Sequence, residues 1–468
     1  MSGRDPAGGR YQAALGFLFQ RIDYERSLAV PYRSGGFKLD RMRELLARLD
    51  RPDRGFAIVH IAGTKGKGST AALIAAAMTA AGHRSGLFTS PHLDRVEERM
   101  AVDGLPCPSD RFAELVEEIA PVVREMDASA AAIGENGPTY FEITTAMALV
   151  HFRQSRVAIA VLEVGLGGRL DSTNVCRPQV SVITSISFDH TKQLGSTLQA
   201  IAAEKAGIIK PGVPVISGVS ADEARPVIVE ACRAHGSRLI EIDRDFSFQW
   251  HPPRRLDLTP AHGFIDYEEP ESGIAWRNVE LGLLGRHQGA NAAVALTALL
   301  ELRRLGWSVP EDVIRRGFRE LAWPARIEVV ARRPTVIIDA AHNVASVAAL
   351  VETLSESFQS QRRILIFATT LEKDLRGMLQ LLLPAFDHVL LTRYLDNPRA
   401  VPLEELAAIA EEVGGHGYPR FETPAAAWRA ARDIAQPADV ICVTGSFFIA
   451  AQLRHEIQMH PAGYSQDS

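Results

Sequence analysis

The chain reads as two consecutive α/β domains, each built on a mostly parallel sheet, and three observations predict this. Short apolar, β-branched runs alternate with helical stretches, the pattern of strands covered by helices on both faces. A glycine- and lysine-rich turn, Ala62-Gly63-Thr64-Lys65-Gly66-Lys67-Gly68-Ser69-Thr70, follows the first such run. The alternation then breaks over Phe246–Gly285 and restarts after Pro324.

Taken in order, the first half predicts strands at Phe56–Ile61, Arg84–Thr89, Val157–Val164, Val180–Ser187 and Val213–Gly218. Helices are expected between them at Ser69–Ala81, Glu142–Arg153 and Thr197–Ile209. The proline-, aromatic- and charge-rich stretch Phe246–Gly285 predicts short antiparallel strands and loops, and the alanine- and leucine-rich Gln288–Leu302 a strong helix. Pro324 disfavours helix at Trp323, so residues 321–325 read as a hinge between domains at 1–320 and 326–468. The second half predicts strands at Thr335–Asp339, Arg363–Ala368, His388–Thr392 and Val440–Thr444. Small, polar residues at 1–10 and from Met459 onward predict poorly ordered termini.

Composition narrows the class of function. With 468 residues, 46% of them hydrophobic and 23% charged, the chain can build ordinary buried cores. Lys and Arg number 51 against 56 Asp and Glu, a formal charge of −5, which argues against non-specific nucleic-acid or polybasic membrane binding. Cys107, Cys176, Cys232 and Cys442 form no C-x-x-C pair and read as buried thiols in a reducing cytosol. No apolar run is long enough to span a bilayer, and the N-terminus lacks the apolar core of a secretory signal. A cytoplasmic protein is expected.

The turn at 62–70 nearly fits a nucleotide-binding P-loop. Ile61 stands where the general pattern has its first glycine, and Gly68 separates Lys67 from Ser69. The chemistry survives the change. Gly63, Gly66 and Gly68 let the backbone approach oxygens, the helix N-terminus favours anions, Lys67 reaches a phosphate and Ser69 a magnesium ion. No fold requires two lysines within a glycine-rich turn.

Open parallel sheets bind ligands beyond the carboxyl ends of their strands. Ser90 follows the second strand, Glu163 closes the third, and Asp189-His190 follows the fourth. Ser90 alone reads first as a helix cap, and His190 alone as a hydrogen-bonded loop residue. Glu163 points to function, because a carboxylate ending a buried strand is costly without a cation or donor. Glu204 and Lys205 read from the residues alone as a solvated helix face. Flanking alanines nonetheless allow partial burial of Lys205, which would lower its pKa.

Ten segments together resemble the Mur ligase superfamily, most closely its folylpolyglutamate synthase/dihydrofolate synthase branch. They are Ala62–Thr70, Thr89–Leu93, Phe141-Glu142, Glu163–Asp171, Asp189–Thr191, Glu204–Lys210, Gly285–Gln288 with Asn291–Ala293, Trp323–Arg326, Asp339–Asn343 and Val443–Ser446. They occur in family order over about residues 37–450, and Thr-Ser-Pro-His-Leu favours the folate branch over the cell-wall peptide ligases.

The resemblance implies a central-domain P-loop fold followed by a smaller Rossmann-like domain. It also implies an ATP-dependent ligase that joins glutamate to a pteroate or folate carboxylate through an acyl phosphate. Implied ATP contacts are Gly63, Thr64, Lys65, Gly66, Lys67, Gly68, Ser69, Asn291, Arg326 and Asp339, with Arg326 arriving on domain closure. Ser69, Ser90 and Glu163 would hold one magnesium ion, and Glu163 with His190 a second, assisted by carbamylated Lys205. His342 and Ser446 match residues near the incoming glutamate, and Phe141 and Asp171 match pterin contacts. Lys67, Lys205, Asp339 and His342 are the implied catalytic set, and a monomer acting on small molecules is implied.

Three residues depart from the family pattern. Lys65 replaces an asparagine, and Ala340 and Val344 replace a glycine and a proline. Within the superfamily the alternative is ligation of an amino acid to a different carboxylate; alternatives in other classes are a small-molecule kinase and an inactive nucleotide-binding scaffold. Retention of Lys67, Glu163, His190 and Lys205 argues against the last.

Overall fold

Strand runs flanked by helices place the sheets where the hydrophobic pattern expects them. The computed structural model describes residues 6–23, 39–395 and 397–459. The chain divides into two compact units, one of Met1–Phe248, Tyr267–Trp276 and Ala290–Phe318, the other of Gln249–Asp266, Arg277–Gly289 and Arg319–Ser468.

In the first unit, seven strands form one sheet: β1 (Ala57–Ala62), β2 (Ser85–Phe88), β3 (Met100–Val102), β4 (Ile159–Glu163), β5 (Val180–Ile183), β6 (Val215–Ser217) and β7 (Leu239–Glu241). Their order is β3-β2-β4-β1-β5-β6-β7. Every pairing is parallel except the antiparallel edge strand β3. β1, β4 and β5 are apolar along nearly their whole length, as strands covered on both faces must be.

The accompanying helices are α1 (Pro6–Phe19), α2 (Leu39–Arg48), α3 (Lys67–Ala80), α4 (Ser109–Ala131), α5 (Tyr140–Gln154), α6 (Thr191–Leu194), α7 (Leu198–Ala206) and α8 (Arg225–Ala234). The expectation of poor order over residues 6–10 is corrected by α1. Its Ala14 and Leu18 are buried in the core shared with α4, and Arg10 makes a two-pronged ion pair with Glu117. Residues 1–5 and 460–468 lie outside the described residues. α5 starts on a capping box, in which Thr139 and Glu142 satisfy each other's backbone N–H groups. Such a cap contributes about 1 kcal/mol.

Three further strands, β8 (Ser247–His251), β9 (Gly263–Glu269) and β10 (Ile274–Leu281), form a small sheet in the order β10-β9-β8. Helices α9 (Arg286–Arg304) and α10 (Glu311–Glu320) follow.

The second unit carries β11 (Glu328–Ala331), β12 (Thr335–Ile338), β13 (Arg363–Phe367), β14 (His388–Thr392), β15 (Arg420–Phe421) and β16 (Val440–Thr444). Their order is β11-β12-β16-β13-β14-β15, parallel except for β11. Helices α11 (Val344–Ser357), α12 (Leu375–Leu382), α13 (Leu403–Gly414), α14 (Pro424–Ile434) and α15 (Phe447–Met459) complete it. Ile337, Leu365, Leu391 and Cys442 form its core with Leu350 and Leu379 from the helices.

Candidate active site

The register of the first sheet brings three strand ends together. Ile61 of β1 is opposite Glu163 of β4, and Ala62 is opposite Ile183 of β5. The glycine-rich turn leaves β1 at this point and enters α3. Gly66 is the N-cap of α3 at φ 82°, without any side-chain cap, so the first N–H groups of a 14-residue helix remain available to an anion. A side chain at Gly66 would also collide with the amide of Asn291 from α9, which places Asn291 against the turn.

The turn is laced to the loop after β5. Thr64 N–H donates to the Ser185 carbonyl at 2.7 Å. Thr64 Oγ1 donates to the Ser187 carbonyl at 3.2 Å and accepts the Ser187 N–H at 3.1 Å. The Lys65 carbonyl accepts Thr184 Oγ1 at 2.6 Å and Ser185 Oγ at 3.1 Å. Lys65 Nζ lies 2.8 Å from Asp189 Oδ2. His190 follows, exposed and in the left-handed region at φ 49°.

Glu163 is buried, with Oε2 accepting the Ser90 N–H at 3.1 Å and Oε1 3.9 Å from Lys67 Nζ. Ser69, on the first turn of α3, is also buried. Among the described residues no three His, Cys, Asp or Glu side chains cluster as a metal site. Serine hydroxyls and a carboxylate are donor types that suit magnesium, which keeps several waters and takes its remaining oxygens from substrate phosphates.

Lys205, near the end of α7, is buried, and its Nζ donates to the Gly63 carbonyl at 2.9 Å. This corrects the reading of Lys205 as part of a solvated face. Burial foremost, and then the positive charge of Lys67, hold its ammonium well below the ordinary lysine range. Its neighbour Glu204 pairs with Arg169 at 2.8 Å.

Asp171 is buried, and all its hydrogen bonds come from its own loop. Oδ2 accepts the N–H groups of Gly165 and Leu166, and Oδ1 accepts the N–H and hydroxyl of Thr173. Four donors fill the acceptor capacity of a carboxylate. Burial raises its pKa against those bonds. Thr173 Oγ1 also sits 2.8 Å from Nε2 of His60 in the middle of β1, a fully buried imidazole whose pKa burial pushes down to about 3. His60 escaped the sequence reading because a lone histidine in an apolar strand carries no motif. Phe141, half-buried at the start of α5, has its ring 5.9 Å from that of Phe88, and a side chain at Gly165 would strike it.

In the second unit the carboxylate of Asp339 joins two turns. Oδ2 accepts the Ile327 N–H at 3.0 Å and Oδ1 the Ala341 N–H at 2.8 Å. Burial raises its pKa, and Arg326 opposes the rise. His342 Nδ1 lies 2.9 Å from the Ala340 carbonyl, to which it donates. The Ser446 hydroxyl accepts the Ile449 N–H at 3.2 Å and so caps α15.

Phe447, which the sequence reading missed, links these groups. The Arg326 guanidinium lies 4.8 Å from its ring centroid, and the His342 ring is 5.7 Å away. The two departures here are accommodated. Ala340 is buried without positive φ, and Val344 takes the first position of α11, where an N–H is not needed for the helix.

Comparison with known proteins agrees with this architecture. The Mur ligase middle domain matches residues 61–299, and the Mur ligase glutamate ligase domain matches residues 325–447. The dihydrofolate synthase/folylpolyglutamate synthase of Bacillus subtilis is 33% identical over 424 residues, covering 90% of this chain and 95% of the relative. The Mycobacterium tuberculosis folylpolyglutamate synthase complexed with ADP and AMPPCP superimposes with a TM-score of 0.85 at 30% identity, covering 96% of this chain and 98% of that one. Escherichia coli FolC in complex with DHPP and ADP superimposes with a TM-score of 0.80 at 30% identity, covering 98% and 100%. Among the described residues no helix is long and apolar enough to cross a membrane. The chain belongs to the folylpolyglutamate synthase/dihydrofolate synthase branch of the Mur ligase family, whose members are ATP-dependent ligases of an acid to an amino acid.

Proposed function

We propose that the protein joins L-glutamate to the carboxylate of dihydropteroate, of reduced folates, or of both, using ATP. The observation that carries this reading is a likeness that runs through both units to relatives named for these two activities. The proposed organisation is an ATP-binding domain at 1–320, a hinge at 321–325 and a glutamate-ligase domain at 326–468.

The acceptor carboxylate attacks the γ-phosphorus of ATP, ADP leaves, and an acyl phosphate forms. The glutamate amine then attacks the acyl carbon, loses a proton and expels phosphate. Such transfer depends on positioning and charge neutralisation more than on covalent help from the protein. The open N–H groups at Gly66–Ser69 and the Lys67 ammonium would cradle the transferred phosphate, with Thr64 and Asn291 shaping the turn. Bound magnesium would screen phosphate charge, held by Ser69, Ser90 and Glu163, with a second ion at Glu163 and His190.

Carbamylation of Lys205 is part of the proposal. A neutral amine is the form that adds carbon dioxide, and burial favours it here. The resulting anion would sit beside Lys67 and reach toward the second ion. From the second unit, Arg326 and Asp339 are the proposed ATP contacts. His342, oriented by its Nδ1 contact with the Ala340 carbonyl, would take the amine proton at Nε2, and Ser446 would shape the glutamate contact from its capping position. Phe141 offers a face for the pterin ring. Asp171 would serve that ring by holding the Gly165–Leu166 backbone beside it. A monomeric cytoplasmic enzyme acting on small molecules is part of the proposal, and the buried free thiols fit a reducing compartment.

A paired assay tests the reading. Purified protein is given ATP, glutamate and either dihydropteroate or a reduced folate, and glutamylated product is followed with ADP. Product with dihydropteroate alone excludes a pure polyglutamylase, and product with neither acid overturns the folate reading.

A further inference from the structure

The structure assigns Lys65 a positioning role: its ammonium fixes the loop that carries His190 to the phosphate-binding turn, and is not itself a phosphate ligand. Lys67, two residues on, faces Glu163. Lys65 faces Asp189, whose two oxygens act in different directions. Oδ2 meets the Lys65 ammonium at 2.8 Å, and Oδ1 accepts the backbone N–H of His190 at 3.0 Å. Lysine, carboxylate and the His190 backbone therefore form one chain of contacts.

That chain has a physical purpose. His190 sits at φ 49°, in the left-handed region that a non-glycine residue adopts only at a cost. A carboxylate accepting its N–H helps to hold it there. Asp189 is in turn only 10% exposed on its side chain, so withdrawing the ammonium toward a phosphate would leave a largely buried carboxylate without this cation. The hydrogen bonds of Thr64 and Lys65 with Thr184, Ser185 and Ser187, each pairing a side-chain hydroxyl with a backbone group, join the turn to the same loop. Lys65 closes that lacing with a charged contact that the family's shorter, uncharged asparagine cannot make.

The kinetic arm of the test rests on the ligase activity proposed above, whereas the binding and exchange arms do not. Lys65→Met, Asp189→Asn, the double variant and Lys65→Arg are prepared in the full-length protein. Three quantities are measured: dissociation of AMPPCP with magnesium by calorimetry, hydrogen exchange of peptides spanning 186–194, and kcat for glutamate ligation. Expected are faster exchange at 186–194 in both single variants, analogue affinity within roughly threefold of the parent, and kcat lowered roughly tenfold. The double variant should be no worse than the poorer single, since the two residues act as one unit. Lys65→Arg should recover most of the exchange protection. If Lys65→Met weakens the analogue tenfold or more while Asp189→Asn does not, or if exchange at 186–194 is unchanged in both, the positioning role is wrong. Absence of ligation by the parent protein would overturn the folate reading and leave the other two arms decisive.

Discussion

The side chain of Lys205 crosses from α7 to donate to the carbonyl of Gly63, the first residue after β1 in the glycine-rich turn, at 2.9 Å. A buried lysine is thereby fixed under the turn in an environment that favours its neutral form. Lys205→Ala should lower ligation by roughly two to three orders of magnitude, as loss of a well-placed charged group does, while nucleotide affinity stays within a few-fold. Bicarbonate should not rescue it. A carbamate resonance in ¹³C NMR after addition of labelled bicarbonate should be present in the parent and absent in the variant. A fully active Lys205→Ala protein would remove the carbamate assignment.

Gly66 is required twice, once for φ 82° and once for the approach of Asn291. Gly66→Ala should destabilise the fold by about 1–2 kcal/mol through backbone strain. It should also weaken ATP more than tenfold by pushing Asn291 from the turn. Urea unfolding and nucleotide titration read these two effects separately, and unchanged affinity would show that the approach of Asn291 is unimportant.

Phe447 carries Arg326 on its face and packs beside His342. A cation–π contact of this kind contributes about 0.5–2 kcal/mol. Phe447→Leu should therefore raise the KM for glutamate or ATP by roughly three- to tenfold, with the melting temperature little changed. Steady-state kinetics at varied glutamate and varied ATP will show which of the two substrates responds.

His60 links stability to pH. Its folded pKa is about 3, against 6.5 for a free histidine. The unfolded chain therefore binds a proton that the folded one refuses, and stability falls as pH drops below 6.5 until about 3. Between pH 7 and pH 5 the loss from this group alone is about 2 kcal/mol. His60→Gln should flatten that part of the profile in denaturant titrations at the two pH values, and an unaltered slope would place the acid sensitivity elsewhere.

Much of the fold was legible from hydrophobic pattern. Runs such as Ile58-Val59 and Ala160-Val161-Leu162 are buried on both faces of a sheet, and only strands interleaved with helices satisfy that pattern. The first helix was not legible, because α1 owes its stability to Ala14 and Leu18 packing on α4, about a hundred residues along the chain. Propensity within residues 6–10 does not contain that information.

The candidate site divides along the same line. The sequence by itself determined the glycine- and lysine-rich turn after β1, the carboxylate closing β4 and the family to which both belong, since each is a local pattern of residue type and spacing. Tertiary structure decided what the charged groups do. Lys65 and Lys67 are near-identical in sequence context, yet one meets Asp189 and the other approaches Glu163. Lys205 looked like a surface residue until α7 buried it beneath Gly63. Charge is carried by the residue, but its partner and its solvation are set by segments about a hundred or more positions away, and those two quantities govern its protonation and its role.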